Sequence, residues 1–122
     1  MLKKIFGISL IAAAIGLCAC DDESLIESMC GNIMRATHGT VDKGAFLVID
    51  GVNYTSKSVC VDNERLTVSD VKRYYPLCLN DYYDYQECVD ALDYRTIVYI
   101  DDLVGVVDYC KRRYYDCLDY YY

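Results

Sequence analysis

DDLVGVVDYCKRRYYDCLDYYY, residues 101–122, is the stretch on which the fold turns. Leu103, Val106, Val107, Cys110, Tyr114, Cys117, Leu118 and Tyr121 recur at intervals of three and four, which places them on one face of an α-helix. Asp101 and Asp102 put negative charge where a helix N-terminus attracts it. Gly105, inside the pattern, costs about 1 kcal/mol relative to alanine and does not break it.

Upstream, Asn80 or Asp81 opens a second helical pattern, with Tyr82, Tyr85, Cys88, Val89 and Leu92 on one side. Thr96–Ile100 between the two patterns is rich in β-formers and reads as a strand or a buried connection. Ser69-Asp70 caps a short turn that Pro76 interrupts. Two helices joined by so short a connection run antiparallel, and antiparallel neighbours bring together residues whose numbers have a nearly constant sum. The numbers of Cys78 and Cys117 sum to 195, and those of Cys88 and Cys110 to 198. Cys30 and Cys60 then form the remaining pair. Six cysteines admit on the order of fifteen pairings, of which this is the expected one. On a regular helix Cys78 and Cys88 point about 80° apart; Pro76 relieves the mismatch if Cys78 precedes the regular helix. The nested arrangement resembles the twin-cysteine hairpins of the coiled-coil-helix-coiled-coil-helix proteins, a resemblance of geometry that implies no function.

Before residue 69 the period changes. Ala45–Ile49 is a compact run of strand formers, and Asp50-Gly51 is a strong signal for a tight hairpin turn. Val52 to Val61 reads as the returning strand, with Val52, Tyr54, Ser56, Ser58 and Cys60 on one face. Asp62-Asn63 reads as a further turn and Arg65–Val68 as a short third strand. Leu25, Ile26, Met29, Cys30, Ile33 and Met34 mark a helix between Asp22 and His38, with Asp21, Asp22 and Glu23 at its start and Gly39 at its stop. The expected fold is therefore α+β: a small disulfide-stapled domain with an N-terminal helix, a β-hairpin and a C-terminal antiparallel helical hairpin.

The first residues address the chain for export. Lys3 and Lys4 precede an uncharged run from Ile5 to Leu17, the layout of a signal peptide. The run falls short of the roughly 20 apolar residues that span a bilayer. Leu17-Cys18-Ala19-Cys20 resembles the lipobox of bacterial lipoproteins: an aliphatic residue, a variable one, a small one, then the cysteine that receives lipid. The resemblance implies a signal peptide over residues 1–19, lipidation at Cys20 with acyl chains of the palmitate type, and a single cysteine- and tyrosine-rich domain over 20–122 anchored at its N-terminus. Parity agrees: with Cys18 removed and Cys20 acylated, six of the eight cysteines remain, an even number. Cleavage after Cys20 leaves the same six. Asp21 after Cys20 resembles the inner-membrane retention signal of some Gram-negative lipoproteins. The expected location is the cell envelope, on the outer side of the cytoplasmic membrane or at the outer membrane, with free secretion as the alternative.

Composition excludes several classes of function. The chain carries 12 basic and 19 acidic residues, a net charge of -7. Without Lys3 and Lys4 ten basic residues face nineteen acidic ones, so phosphate backbones repel the domain and no nucleic-acid partner is expected. His38, the one histidine, sits at a helix end where a surface role is expected. After Cys20 no two cysteines have the spacing of a zinc knuckle or of a C-x-x-C redox motif, so neither metal nor cofactor is expected. The carboxylates are scattered along helix faces and single out no catalytic pair, so no enzyme activity is expected. The sequon Asn53-Tyr54-Thr55 matters only on a eukaryotic secretory route.

The unusual feature is tyrosine: 14 residues, 13 of them after residue 70. Tyr82-Tyr83-Asp84-Tyr85, Tyr114-Tyr115-Asp116 and Tyr120-Tyr121-Tyr122 exceed what one helix face buries. Tyr83, Tyr115, Tyr120 and Tyr122 are the candidate binding residues, because exposed tyrosine offers a stiff apolar contact with a polar tip. The expected function is a non-enzymatic binding or structural module, held to the membrane through Cys20 and facing an envelope protein or a glycan. A freely secreted effector or inhibitor is the alternative.

Overall fold

The computed structural model describes the backbone from Ala19 to Tyr122 and the side chains from Asp22 onward. The expected signal peptide and the lipidation site at Cys20 lie outside the described residues.

The chain folds as α1 (Ala19–Gly39), β1 (Val48–Ile49), β2 (Val52–Asn53), α2 (Lys57–Tyr74), a 3₁₀ turn (Pro76–Cys78), α3 (Leu79–Asp90), a second 3₁₀ turn (Tyr94–Thr96) and α4 (Ile100–Tyr121). It is mostly helical. Among the described residues the β-structure is one antiparallel hairpin, with Val48 opposite Asn53 and Ile49 opposite Val52. Its turn is Asp50-Gly51, both with positive φ (50° and 81°), the twist that favours a two-residue hairpin. The sheet component of an α+β fold thus shrinks to four residues.

The longest departure from the sequence reading is residues 57–74. The expected second half of the returning strand, the turn at Asp62-Asn63 and the strand at Arg65–Val68 are all parts of α2. Ser56 caps this helix, its hydroxyl accepting from the Val59 N–H at 3.2 Å. Cys60, Val61, Glu64, Val68 and Val71 face inward at helical spacing. Ser69 and Asp70, expected to cap a turn, lie within the helix. Pro76 ends it by disfavouring helical geometry in Tyr75, and opens the 3₁₀ turn instead.

α1 packs against α2 and α3, and α3 packs against α4. Ile26, Met29, Cys30, Ile33, Leu47, Tyr54, Val71, Tyr82, Tyr85, Val89 and Leu103 form the centre of the core. Asn32 of α1 ties the end of α3 by donating to the carbonyls of Val89, Asp90 and Leu92 at 2.9–3.2 Å. α4 begins one residue before Asp101, with the Asp102 carboxylate accepting from the Tyr99 N–H at 3.0 Å. Its buried face keeps Leu103, Val107, Cys110, Tyr114 and Cys117 of the expected stripe and adds Lys111, while Val106 and Leu118 are half-buried and Tyr121 is outside, 55% exposed. Thr96–Ile100 is not a strand; it leaves the second 3₁₀ turn and leads into α4.

Among the described residues three disulfides join Cys30 to Cys60, Cys78 to Cys117 and Cys88 to Cys110, with Cα separations of 5.7, 5.8 and 5.6 Å. The last two are the pairs to which the index sums point, and the first is the pair they leave over. Cys78 closes the 3₁₀ turn before α3, so the angular mismatch of a regular helix does not arise. The first bridge ties α1 to α2; the other two close the α3–α4 hairpin near both of its ends. Among the described residues no helix is long and apolar enough to cross a membrane.

Candidate functional site

The candidate tyrosines do not form one surface. Tyr83 is half-buried on α3 and donates to the Asp22 carboxylate at 3.0 Å, fastening α3 to α1. Burial and this carboxylate push its hydroxyl up to about 12. Tyr115 lies beside the hairpin turn, its hydroxyl 3.3 Å from Asp50. Tyr120 and Tyr122 sit at the end of α4, where the structure brings Tyr122 to residues the sequence reading did not include. Tyr122 packs edge-on against Tyr75 with ring centroids 5.1 Å apart, and its hydroxyl accepts from the Leu77 N–H at 3.2 Å. Tyr74 and Tyr75 are neighbours at 6.4 Å, and Tyr120 and Tyr121 meet edge-on at 4.8 Å. Tyr74, Tyr121, Tyr122 and Leu77 are each more than half exposed, and Tyr120 is 80% exposed. The Cys78–Cys117 bridge assembles this tip by holding the turn after α2 against the last turns of α4. Tyr74, Tyr75 and Leu77 were not legible as partners because their neighbours in space lie more than forty residues away.

Among the described residues two charged side chains, Glu64 and Lys111, are buried. Glu64 of α2 is 1% exposed. It accepts from the hydroxyls of Tyr54 and Tyr82, each at 2.7 Å, and from the Gln86 amide at 3.1 Å. A buried carboxylate without a cation needs such donors to offset its lost hydration. Burial and the nearby Glu64 raise the hydroxyls of Tyr54, Tyr82 and Tyr85 well above their ordinary value. Sealed from solvent, the network joins α2, α3 and the chain leaving the hairpin. The other buried charge is Lys111, 3% exposed, whose Nζ stands 2.6 Å from Asp50 and over the rings of Tyr85 and Tyr115 at 5.2 and 5.5 Å. Neither residue is singled out by the sequence: Glu64 falls between an expected turn and an expected strand, and Lys111 lies on a helix face that otherwise reads as apolar.

Asp81 lies with the sulfurs of Cys78 and Cys117 within 4.8 Å of one another. Metal binding needs thiolates, and these sulfurs are bonded to each other, so the group offers one carboxylate and no metal centre. His38 is exposed at the end of α1.

Compared with protein-family models, with curated proteins and with solved structures, the chain matches none.

Proposed function

We propose that this chain is an exported, lipid-anchored protein of the cell envelope whose tyrosine-rich tip binds another protein. The observation that carries the binding role is the exposed cluster of Tyr74, Tyr75, Leu77, Tyr120, Tyr121 and Tyr122 at one end of the molecule. Monomeric surfaces scatter large apolar residues singly; a contiguous group of this kind marks an interaction site. The export and lipid-anchor parts of the reading rest on the Lys3-Lys4 start, the Ile5–Leu17 run and the lipobox resemblance at Cys20. Three disulfides suit the oxidising side of a membrane.

Charge narrows the partner to a basic protein surface. The domain is strongly acidic, and Asp116 and Asp119 are exposed beside the tip. Tyrosine faces attract cations, as Arg73 over Tyr74 at 5.3 Å illustrates within the chain.

Two measurements test the proposal. Radiolabelled palmitate is expected to enter the wild-type chain and to be lost in Cys20→Ser; label that survives the substitution overturns the anchor. Cross-linking in the native envelope is expected to capture a protein through the tip, with capture lost in Tyr120→Ser/Tyr122→Ser. Unchanged capture, or binding of the purified domain to glycans instead, overturns the binding reading.

A further inference from the structure

The three disulfides differ in what surrounds them. Cys30 and Cys60 are both fully buried, out of reach of any external thiol. Cys78 is fully buried and Cys117 is 9% exposed, with the Asp81 carboxylate within 4.8 Å of both sulfurs, where it repels an approaching thiolate. The Cys88–Cys110 bridge is different. Cys88 is only half-buried, and both cysteines line an open pocket of about 220 Å³. Its other walls are Asp84, Tyr109, Arg112 and Arg113, two guanidinium groups against one carboxylate. Arg112 is held against the Tyr109 ring at 4.5 Å. In an acidic domain this pocket concentrates positive charge beside a reachable disulfide.

We propose that Cys88–Cys110 is a site of thiol–disulfide exchange, selective for small thiols that carry carboxylates. The incoming thiol gives its proton to solvent, and its thiolate attacks Sγ of Cys88, the more exposed cysteine of the pair. A new S–S bond forms there as the Cys88–Cys110 bond breaks, and the electron pair leaves on Sγ of Cys110 as a thiolate. The product is a mixed disulfide on Cys88 and one thiol at Cys110. Return attack by Cys110 expels the small thiol and restores the bridge, so the cycle consumes no external oxidant. The arginines favour each step that brings or leaves a negative charge.

The fold tolerates the opening. This bridge spans 22 residues, against 30 and 39 for the other two, and so constrains the unfolded chain least. Cys78–Cys117 still clamps the far end of the α3–α4 hairpin while the end nearer the connection loosens.

The folded protein is exposed to reduced glutathione or to cysteamine at equal thiolate concentration, quenched with iodoacetamide at intervals and mapped without reduction. A glutathione adduct is expected first on Cys88, with alkylation of Cys110, and glutathione is expected to react faster than cysteamine. Arg112→Gln and Arg113→Gln are each expected to reduce that preference about fivefold, the effect of one unit charge near 4 Å in water. Opening of Cys30–Cys60 or Cys78–Cys117 first, simultaneous opening of all three, or a rate indifferent to the charge of the thiol overturns the proposal. Retention of the other two bridges in each variant shows that the domain is still folded.

Discussion

Lys111 Nζ lies 2.6 Å from Asp50 Oδ2, across 61 residues of chain, with the lysine buried and the aspartate 63% exposed. This contact seats the hairpin turn on α4, and the two partners carry it unequally. Removing the lysine charge leaves a solvated carboxylate; removing the aspartate charge leaves a buried ammonium with only aromatic faces beside it.

Asp50→Asn is therefore expected to destabilise by about 1–3 kcal/mol. Asparagine keeps the positive φ of 50° at low cost, so the loss reports charge and not the turn. Lys111→Met is expected to cost less, and the double variant less than the two losses added together. Urea unfolding of the four proteins checks this, and a neutral Asp50→Asn would contradict it.

Glu64→Ala is expected to be the more damaging change, costing at least about 3 kcal/mol. It leaves the hydroxyls of Tyr54 and Tyr82 and the Gln86 amide without an acceptor, together with a cavity. Urea unfolding again measures it, and a loss below about 1 kcal/mol would contradict the role given to Glu64.

Alkali is expected to unfold the domain through its tyrosines. Tyr54, Tyr82, Tyr83, Tyr85 and Tyr114 all hold their protons more tightly than the ordinary value of 10.0. The folded state then binds more protons than the unfolded one above pH 10. Stability from these groups is full below that pH and falls as pH climbs through about 12, the folded value for Tyr83 and Tyr114. Ultraviolet titration of the phenolate band is expected to show these five ionising late or together with loss of helical circular dichroism. Complete ionisation near pH 10 with the helices intact would contradict it.

Ser56→Ala is expected to destabilise by about 1 kcal/mol, because it removes the hydroxyl that accepts from the first turn of α2. Ser58→Ala, one turn position on and exposed, is expected to change stability by less than about 0.5 kcal/mol. Equal effects of the two would deny Ser56 its capping role.

Ser56 also marks where sequence reasoning stopped following the chain. Alternation from Val52 to Cys60 fits a strand over the first few residues and a capped helix over the rest, and short windows do not separate the two. The helical stripe of α2 was masked because one of its inward positions is Glu64, which reads as a surface residue until Tyr54, Tyr82 and Gln86 are seen around it. Lys111 hid in the same way, its partner being in a distant turn. By contrast the cysteine pairs and most of the α4 stripe were legible. Antiparallel helices convert residue number directly into position, and the core face of α4 is apolar apart from Lys111 and half-apolar Tyr114. The tip was half legible: Tyr120 and Tyr122 stand out in the sequence, but Tyr75 and Leu77 meet Tyr122 only because Cys78–Cys117 holds the two ends together.

That bridge and Cys30–Cys60 also set how the domain carries mechanical load. Tension applied between Asp22 and Tyr122 runs along α1 to Cys30 and crosses to Cys60. It then follows α2 to Cys78, crosses to Cys117 and ends in the last turn of α4. The hairpin and most of α3 and α4 lie off this route, shunted by covalent bonds. Pulling can pay out only the short segments between the bridges, so the domain yields a small extension and then stops, as a tether with a built-in limit does.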